Sequence, residues 1–183
     1  MAVGASNWYS LGASSIDVDS ASLGVVTWGY GYDFLMVQFN IVGYNVADTA
    51  GFIFNQDLPL PPFFVGIYGD RHLYVAVGAT TLTNSQTVDG SIIRIAGFTT
   101  TLTQAGSAFI TGKTRDQNQV TTLCNTGTVS TVSPVSLLGA GSYSSGTNFS
   151  GVIQDVTSIE MKTSGGNNML AGSGFSVFGA NAS

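Results

Sequence analysis

The stretch that decides the fold is Val156–Gly179, which reads VTSIEMKTSGGNNMLAGSGFSVFG. Its first part, Val156–Met161, alternates between apolar and polar residues as a half-buried strand does. The Gly- and Asn-rich run Ser164–Asn168 then has the composition of a turn. A second alternating run follows, so the stretch predicts two strands, Thr157–Lys162 and Gly174–Phe178, separated by a turn.

The same strand pattern runs through the rest of the chain. Thr, Val, Ile, Phe and Tyr are abundant, glycines interrupt the sequence at short intervals, and no apolar run with helical spacing exceeds about two turns. Many short strands in 183 residues predict an all-β fold, an antiparallel two-sheet β-sandwich. We predict one such domain over residues 1–183, with residues 1–14 open to interpretation as an extended N-terminal arm. The other predicted strands are Ser15–Val18, Gly24–Thr27, Phe34–Val42, Gly51–Phe54, Leu73–Val77, Ser91–Ile95, Thr99–Leu102, Ser107–Thr111, Gln119–Leu123, Thr128–Val132 and Ser150–Val152.

Polar segments between these strands predict the turns and loops. Gly, Asn, Asp and Ser favour turns because they tolerate left-handed backbone or bond to their own main chain. The prolines at positions 59, 61 and 62 end a strand and force an extended connection. The predicted turns and loops are Val88–Gly90, Asn125–Gly127, Ala140–Ser142, Thr80–Thr87 and Lys113–Gln119.

Formal charge is scarce in this chain. It has five Lys or Arg and ten Asp or Glu among 183 residues, whereas about a quarter of a typical soluble domain is charged. Residues 1–70 contain six Asp and no Lys or Arg. Binding of nucleic acid needs a basic patch that releases counterions from phosphates, so we expect no nucleic-acid partner. A surface so poor in charge suits a protein whose surroundings are mostly other protein.

No residue pattern points to catalysis or to a bound cofactor. Cys124 is the only cysteine and His72 the only histidine, so a catalytic role for Cys124 requires His72 nearby. A small buried hydrophobe or an inert loop thiol is the simpler interpretation. Asp17 and Asp19 provide too few oxygens for calcium, which favours a solvated strand edge. Asp70–His72 is interpreted as a loop ion pair or subunit contact, because no nucleophile motif accompanies it. We expect no enzyme activity, no metal site and no cofactor.

The segment Thr27–Phe34, which reads TWGYGYDF, is the candidate binding segment. In an extended conformation its four aromatic side chains share one face and its aspartate lies on the other. Such a platform stacks on sugar rings while the carboxylate accepts hydrogen bonds from hydroxyl groups. The alternative is an aromatic stripe that fills the sandwich core or a subunit interface. The candidate residues for a glycan site or an interface are Trp28, Tyr30, Tyr32 and Asp33.

The chain resembles virion proteins of tailed phages at several places. In the closing stretch, Gly172–Ser173 and Phe178–Gly179 stand where that family has a Gly-Ser pair and a strand that ends in aromatic-Gly. Tyr32–Val37 resembles the family's Y-x-x-L-x-hydrophobic strand, and Phe54–Asp57 resembles its F-N-x-D turn. These motifs occur in the family's order, and residues 59–150 carry no further match.

The resemblance implies a jelly-roll-like sandwich, commonly assembled as a trimer, with a structural role in the virion. A tail-tip protein usually joins an attachment stalk to a receptor-binding head, and this chain has no coiled-coil heptads. We therefore expect a capsid decoration (cement) protein that stabilises the phage shell by binding across capsid subunits. The alternative is a tail-associated receptor-binding domain that recognises host-surface glycans.

These expectations also define the partners and the location. We expect a homotrimer, so one partner is the chain itself, and the others are the major capsid protein or further virion proteins. The expected location is the capsid surface of the virion, after synthesis in the host cytoplasm. No membrane partner is expected, because the longest apolar stretch, Leu58–Gly69, is too short and too rich in proline to cross a bilayer.

Overall fold

The structure, a computed structural model, describes residues 8–54, 67–76, 83–90, 92–95, 101–111, 120–129, 135–144 and 156–181. These residues form twelve strands and no helix, in two antiparallel sheets that pack against each other. The predicted all-β two-sheet sandwich is therefore confirmed. The strands are β1 (Tyr9–Ser15), β2 (Ser22–Thr27), β3 (Phe34–Ile41), β4 (Ala50–Phe54), β5 (Ile67–Ala76), β6 (Thr83–Gly90), β7 (Ile93–Arg94), β8 (Thr103–Thr111), β9 (Val120–Val129), β10 (Val135–Ser144), β11 (Ser158–Thr163) and β12 (Gly174–Ala180).

The strand order identifies the kind of sandwich. The large sheet has the order β1-β12-β3-β8-β9-β10-β5-β6, and the small sheet has the order β2-β11-β4-β7. Two hairpins, β5–β6 and β9–β10, extend the large sheet at one side. When they are set aside, the first of the remaining eight strands pairs with the last, the second with the seventh, the third with the sixth and the fourth with the fifth. This pairing is that of a jelly roll, so the jelly-roll-like prediction is confirmed.

The core lies between the two sheets and is built by alternation along the strands. In β3, Leu35, Val37, Phe39 and Ile41 are buried, and the residues between them are half-buried or exposed. Phe39 meets Phe52 of β4 edge to face, with ring centroids 6.4 Å apart, and so joins the two sheets. The closing stretch supplies an inner strand to each sheet: β11 lies between β2 and β4, and β12 lies between β1 and β3.

The predicted break between β11 and β12 is confirmed, and a buried carboxylate holds it in place. Asp48, which is 4% exposed, accepts hydrogen bonds from the backbone N–H groups of Thr49 (2.7 Å), Gly165 (3.0 Å) and Asn167 (3.0 Å) and from the Ser164 hydroxyl (3.1 Å). Burial raises the pKa of Asp48, but these hydrogen bonds outweigh burial, and the pKa lies below its ordinary value. The connection that crosses from the small sheet to the large one is thereby tied to the start of β4.

The first strand lies earlier than predicted. It is β1, Tyr9–Ser15, rather than Ser15–Val18, and it forms the edge of the large sheet beside β12. Its serines and glycine have weak strand propensity, so pairing with β12, rather than the local sequence, makes this segment a strand. Residues 9–14 of the suggested N-terminal arm therefore form an edge strand, and residues 1–7 lie outside the described residues.

Several predicted turns and loops lie inside strands. Asn125–Gly127 belongs to β9, Ala140–Ser142 to β10 and Val88–Gly90 to β6, which also takes in residues 83–87 of the predicted loop Thr80–Thr87. These predictions were wrong because pairing with neighbouring strands satisfies the backbone there and overrides local turn propensity. Residues 101–102 form a bend rather than the end of a strand.

The remaining strand predictions agree with the structure where it describes them. Apolar alternation is strongest in these segments, and it predicts their position to within a few residues. The confirmed predictions are Gly24–Thr27, Phe34–Val42, Gly51–Phe54, Leu73–Val77, Ser91–Ile95, Ser107–Thr111, Thr157–Lys162 and Gly174–Phe178, each of which overlaps a strand. Gln119–Leu123 and Thr128–Val132, predicted as two strands, overlap the single strand β9. The predictions that lie outside the described residues are Ser150–Val152, Lys113–Gln119, the three prolines at 59–62 and the Asn55–Asp57 turn.

Candidate functional site

Charge is distributed unevenly among the strands. Six adjacent strands of the large sheet, β1, β12, β3, β8, β9 and β10, contain no Asp, Glu, Lys or Arg. The charged strand residues are on the last two strands of the large sheet, β5 and β6, and on β7 and β11 of the small sheet: Asp70, Arg71, Asp89, Arg94, Glu160 and Lys162. An uncharged surface of this width lacks the groups that normally keep a free protein dispersed. The outer face of these six strands is therefore the candidate site, and we call it the outer face below.

A row of large apolar side chains crosses the outer face. Phe178 of β12 lies opposite Met36 of β3, Met36 lies opposite Phe109 of β8, and Phe109 lies opposite Leu123 of β9. Residues directly opposite one another share a face, so these four side chains form one continuous row. Phe109 is 50% exposed and Leu123 is 57% exposed, although both occupy central strands. Such exposure is unusual for large apolar residues that lie side by side.

Next to this row lies an apolar groove. Trp8 reaches over the sheet and meets Phe109 edge to face, with ring centroids 6.4 Å apart. Trp8, Phe34, Phe109 and Leu123 line the groove, which has a volume of about 230 Å³. Because aromatic side chains bury large areas and dominate the energetics of interfaces, this end of the outer face is suited to contact with another apolar surface.

The other end of the outer face is polar but uncharged. A shallow depression of about 430 Å³ is lined there by the residues at the start of β12 and the facing parts of β1 and β3. Its hydrogen-bonding side chains are hydroxyl and amide groups, so it bonds to a partner without the cost of removing a full charge from water. Those side chains belong to Ser14, Ser15, Gln38, Asn40 and Ser176.

The structure does not form the predicted aromatic platform. Residues 28–33 bend between β2 and β3 instead of continuing a strand, so period-two alternation does not apply. Trp28 is partly buried and its indole Nε1–H donates to the Val156 carbonyl at 3.1 Å. Tyr30 is 66% exposed, whereas Tyr32 is buried. Only Tyr30 among these aromatic residues offers a largely open ring.

Tyr30 and Tyr32 nevertheless form a defined pair. Their rings lie 5.2 Å apart and the Tyr32 hydroxyl donates to the Tyr30 hydroxyl at 3.2 Å. This hydrogen bond, together with burial, raises the pKa of Tyr32 to about 12. Asp33, beside the pair, donates its backbone N–H to Asn181 Oδ1 at 3.2 Å. Gly179 makes room for the Tyr32 ring, because a Cβ at Gly179 would lie 2.6 Å from Tyr32 Cγ.

The other polar residues considered from the sequence are dispersed. Asp17 and Asp19 are exposed, and Asp19 Oδ1 accepts a hydrogen bond from the Ala171 N–H at 3.0 Å. Cys124 is buried in the core, as predicted. The predicted loop around His72 is instead part of β5. Among the described side chains, no group of three or more His, Cys, Asp or Glu residues is placed to hold a metal ion.

Comparison of the chain with protein-family models, with curated proteins and with solved structures finds no match. Within the described ranges, the chain contains no helix long and apolar enough to cross a membrane.

The sequence interpretation missed most of the outer face. Phe34 was recognised as part of an aromatic segment, but Trp8, Phe109 and Leu123 were not selected. A usable signal exists in β8, where Ala108 and Ile110 are buried while Phe109 between them is exposed. Large apolar residues on both faces of a strand indicate that both faces are covered. The inner face is covered by the chain itself, so the outer face is left for a partner.

Proposed function

We propose that this protein is a capsid decoration (cement) protein that binds to the shell of a tailed phage through the outer face of its large sheet. The single observation that carries the proposal is the charge-free outer face with its exposed apolar row, Phe178–Met36–Phe109–Leu123. The resemblance of the closing stretch to virion proteins of tailed phages supports the same role.

The composition of the outer face supports a permanent interface. Cores of stable interfaces are enriched in aromatic residues and Met and depleted of charge, and this face has that composition. Permanent complexes also bury larger and more apolar surfaces than transient ones. The charged strand residues lie elsewhere, on β5 and β6 at one side of the large sheet and on the small sheet, which stays in contact with water in this arrangement. The protein thus acts as a structural clamp on the capsid surface rather than as an enzyme.

Assembly as a homotrimer strengthens such a clamp. Three copies present the outer face to three equivalent places on a symmetric shell, and the second and third contacts form at high effective concentration. Contacts that are weak singly then hold the trimer across neighbouring subunits of the major capsid protein. The supporting feature is again the outer face, which extends over six adjacent strands.

The test compares one substitution on the outer face with a matched substitution elsewhere. Leu123→Asp places a charge in the row, and Val46→Asp places the same charge at a similarly exposed apolar residue outside the large sheet, where Val46 is 54% exposed. In cosedimentation with expanded, decoration-free capsids of the parent phage, we expect saturable binding of the wild type and of Val46→Asp. We expect Leu123→Asp to bind about tenfold more weakly or worse, as for the loss of a central interface residue.

Circular dichroism of both variants verifies that they are folded, and Phe109→Ser serves as a second variant of the row. Absence of wild-type binding to the capsids would remove the proposal. Equal binding by Leu123→Asp and the wild type would remove the outer face as the docking surface.

The second candidate is a tail-associated domain that recognises host-surface glycans. The observation that favours it is the open ring of Tyr30, which Tyr32 supports from beneath by ring contact and a hydrogen bond. An exposed aromatic ring on a rigid base is suited to stacking on a sugar. Glycan-array binding by the wild type that is lost in Tyr30→Ala, together with no saturable binding of the wild type to capsids, would support this candidate over decoration.

A further inference from the structure

Two polar rows cross the outer face beside its apolar row. In the first polar row, Ser176 of β12 lies opposite Gln38 of β3. Gln38 lies opposite Ser107 of β8, and Ser107 lies opposite Asn125 of β9. Each of these four positions is two residues along its strand from a member of the apolar row, so both rows are on the same face of the sheet.

The second polar row places one amide among small residues. Asn40 of β3 lies opposite Gly174 of β12 on one side and opposite Ala105 of β8 on the other. Ala105 lies opposite Gly127 of β9, where an added Cβ would meet only the Ala105 carbonyl oxygen, at 4.0 Å. The Asn40 amide is therefore open to a ligand from both sides, and the depression of about 430 Å³ extends from it across β12 to β1.

The amide groups of the two rows are available for hydrogen bonds to a ligand. Gln38, Asn40 and Asn125 are exposed, and their side chains make no hydrogen bond within the part of the chain that the structure describes. An amide offers two donors and one acceptor oxygen, and a serine hydroxyl both donates and accepts. With the hydroxyls of Ser107 and Ser176, the first row presents a neutral donor and acceptor on each strand from β12 to β9.

The shape of this area indicates an elongated ligand. Both rows run across the strands, and neighbouring strands are about 4.8 Å apart, so a row that runs from β1 to β9 over five strands is about 19 Å long. The side chains within it repeat at the strand spacing. A chain of repeated units uses that length, whereas a single small molecule contacts only part of it.

The charge of the protein selects against an acidic ligand. The six strands of the outer face contain no Asp, Glu, Lys or Arg, and the net charge of the chain is −5. An acidic polymer is repelled by a molecule of that charge and finds no base on this face. A neutral ligand rich in hydroxyl groups avoids this repulsion, and each of its hydroxyls can donate to or accept from the amides and serines of the rows.

We propose that the two polar rows of the outer face bind a neutral polysaccharide chain that runs across β12, β3, β8 and β9, with the amides of Gln38, Asn40 and Asn125 bonded to its hydroxyl groups. This site is distinct from the ring of Tyr30, which lies between β2 and β3, and it goes beyond the proposed capsid role. Asn40 is four residues along β3 from Met36 of the apolar row, a distance of about 13 Å. A shell seated on the apolar row and its groove leaves the row of Asn40 for the polysaccharide.

The test is affinity electrophoresis of the full-length chain in native gels that each contain one polysaccharide. The neutral polymers are dextran, mixed-linkage β-glucan, galactomannan and arabinoxylan, and the acidic polymer is polygalacturonate. We expect at least one neutral polymer to retard the wild type and polygalacturonate not to retard it. The double variant Gln38→Ala, Asn40→Ala is expected to bind the retarding polymer about tenfold more weakly, the size expected for the loss of two hydrogen-bonding side chains.

Asn125→Ala is the second variant, on another strand, and is expected to weaken binding by about threefold. Asn167→Ala is the matched control, because it removes an amide in the turn between β11 and β12, outside both rows, and it is expected to bind as the wild type does. Tyr30→Ala is also expected to bind as the wild type does. Circular dichroism verifies that all variants are folded.

The proposal is overturned if none of the four neutral polymers retards the wild type, or if polygalacturonate binds as tightly as they do. It is overturned equally if the folded double variant and Asn125→Ala keep the wild-type affinity. Loss of binding in Tyr30→Ala but not in these variants would assign the polysaccharide to Tyr30 instead. Cosedimentation with capsids is a separate measurement, so failure of the polysaccharide site and failure of the capsid role are distinguishable.

Discussion

At the scale of single residues, Asp48 shows how one buried carboxylate organises a connection between sheets. Its two oxygens accept four hydrogen bonds, three from backbone N–H groups and one from a serine hydroxyl. Hydrogen bonds to a charged group contribute more than neutral ones, and they hold the residues after β11 in the conformation that leads into the large sheet. The stability of this closing connection therefore depends on the ionised form of Asp48.

The substitution Asp48→Asn tests this role. An amide has one acceptor oxygen in place of two, and its NH₂ group faces an N–H donor at one of the four contacts. We expect the free energy of unfolding to fall by about 1.5 to 3 kcal/mol, measured by urea denaturation. Asp17→Asn, at an exposed site, is expected to change it by less than about 0.5 kcal/mol.

The pH dependence of stability follows from the direction of the Asp48 pKa shift. The folded state has the lower pKa, so the contribution of Asp48 is complete above the unfolded value of about 4 and is lost as the pH falls through the folded pKa. We expect the difference in unfolding free energy between wild type and Asp48→Asn to be constant near neutral pH and to shrink below about pH 4. A difference that stays constant into strong acid would contradict this assignment.

Gly179 is the second residue whose identity the packing requires. A Cβ there would lie within 3 Å of three atoms of the Tyr32 ring, so that ring must move in Gly179→Ala. We expect a loss of about 1 to 3 kcal/mol in thermal or urea unfolding. Gly29→Ala is the matched control, since a Cβ at Gly29 meets nothing within 4 Å, and it is expected to be neutral or slightly stabilising.

At the scale of elements, β9 shows that pairing between strands overrides local preference. Its segment Asn125–Gly127 has the composition of a turn, yet β8 on one side and β10 on the other keep it extended. The residues on its inner face are buried Thr and Cys side chains. Two of these threonines differ in whether the hydroxyl has a hydrogen-bond partner. The Thr126 hydroxyl donates to the Ile95 carbonyl at 2.6 Å, whereas the Thr122 hydroxyl has no partner.

This contrast predicts opposite effects of the same substitution on one strand. Thr122→Val removes an unsatisfied buried hydroxyl and is expected to raise the free energy of unfolding by about 1 kcal/mol. Thr126→Val removes a satisfied hydroxyl, leaves the Ile95 carbonyl without that donor, and is expected to lower it by about 1 to 2 kcal/mol. Urea denaturation of both variants provides the measurement, and equal signs would contradict the assignment.

At the scale of the whole molecule, the sandwich separates its charges. Six adjacent strands of the large sheet are uncharged, while its last two strands, β5 and β6, the small sheet and the connections carry the acids and bases. The chain has few charged residues overall, and the fold places the strands that have none next to one another, so that they form one uncharged face. A protein with such a face associates through apolar contacts and neutral hydrogen bonds rather than through ion pairs.

Docking through the outer face predicts binding that is insensitive to salt. Between about 0.05 and 0.5 M salt, we expect the affinity for decoration-free capsids to change by less than about twofold, because screening acts on charges and not on apolar contacts. Measurement by cosedimentation across this range separates the outer face from the acidic residues of positions 1–70. A steep decline with salt would indicate docking through those acidic residues instead.

Much of the fold can be predicted from the alternation of apolar and polar residues along the chain. Where predictions from alternation are wrong, the cause can be identified. Residues such as Leu35, Val37 and Phe39 make β3 recognisable because every second position is buried. The extended conformation considered for residues 28–33 is wrong, because aromatic residues alternate with glycines there as in a strand although the chain bends. The candidate site is harder to predict from the sequence, because Trp8 and Phe109 lie far apart in the chain and only the sheet order brings their rings together.

The amino-acid sequence by itself determined the all-β class, the scarcity of charge and the strand–break–strand pattern of Val156–Gly179, because each depends on composition or on neighbours a few residues apart. The tertiary structure alone decided that the closing stretch supplies one strand to each sheet, that the uncharged strands lie side by side, and that Trp8 meets Phe109 on the outer face. The physical reason is that register is set between segments distant in the chain. Hydrogen bonding across strands and burial of one face choose the register, and local sequence does not encode that choice.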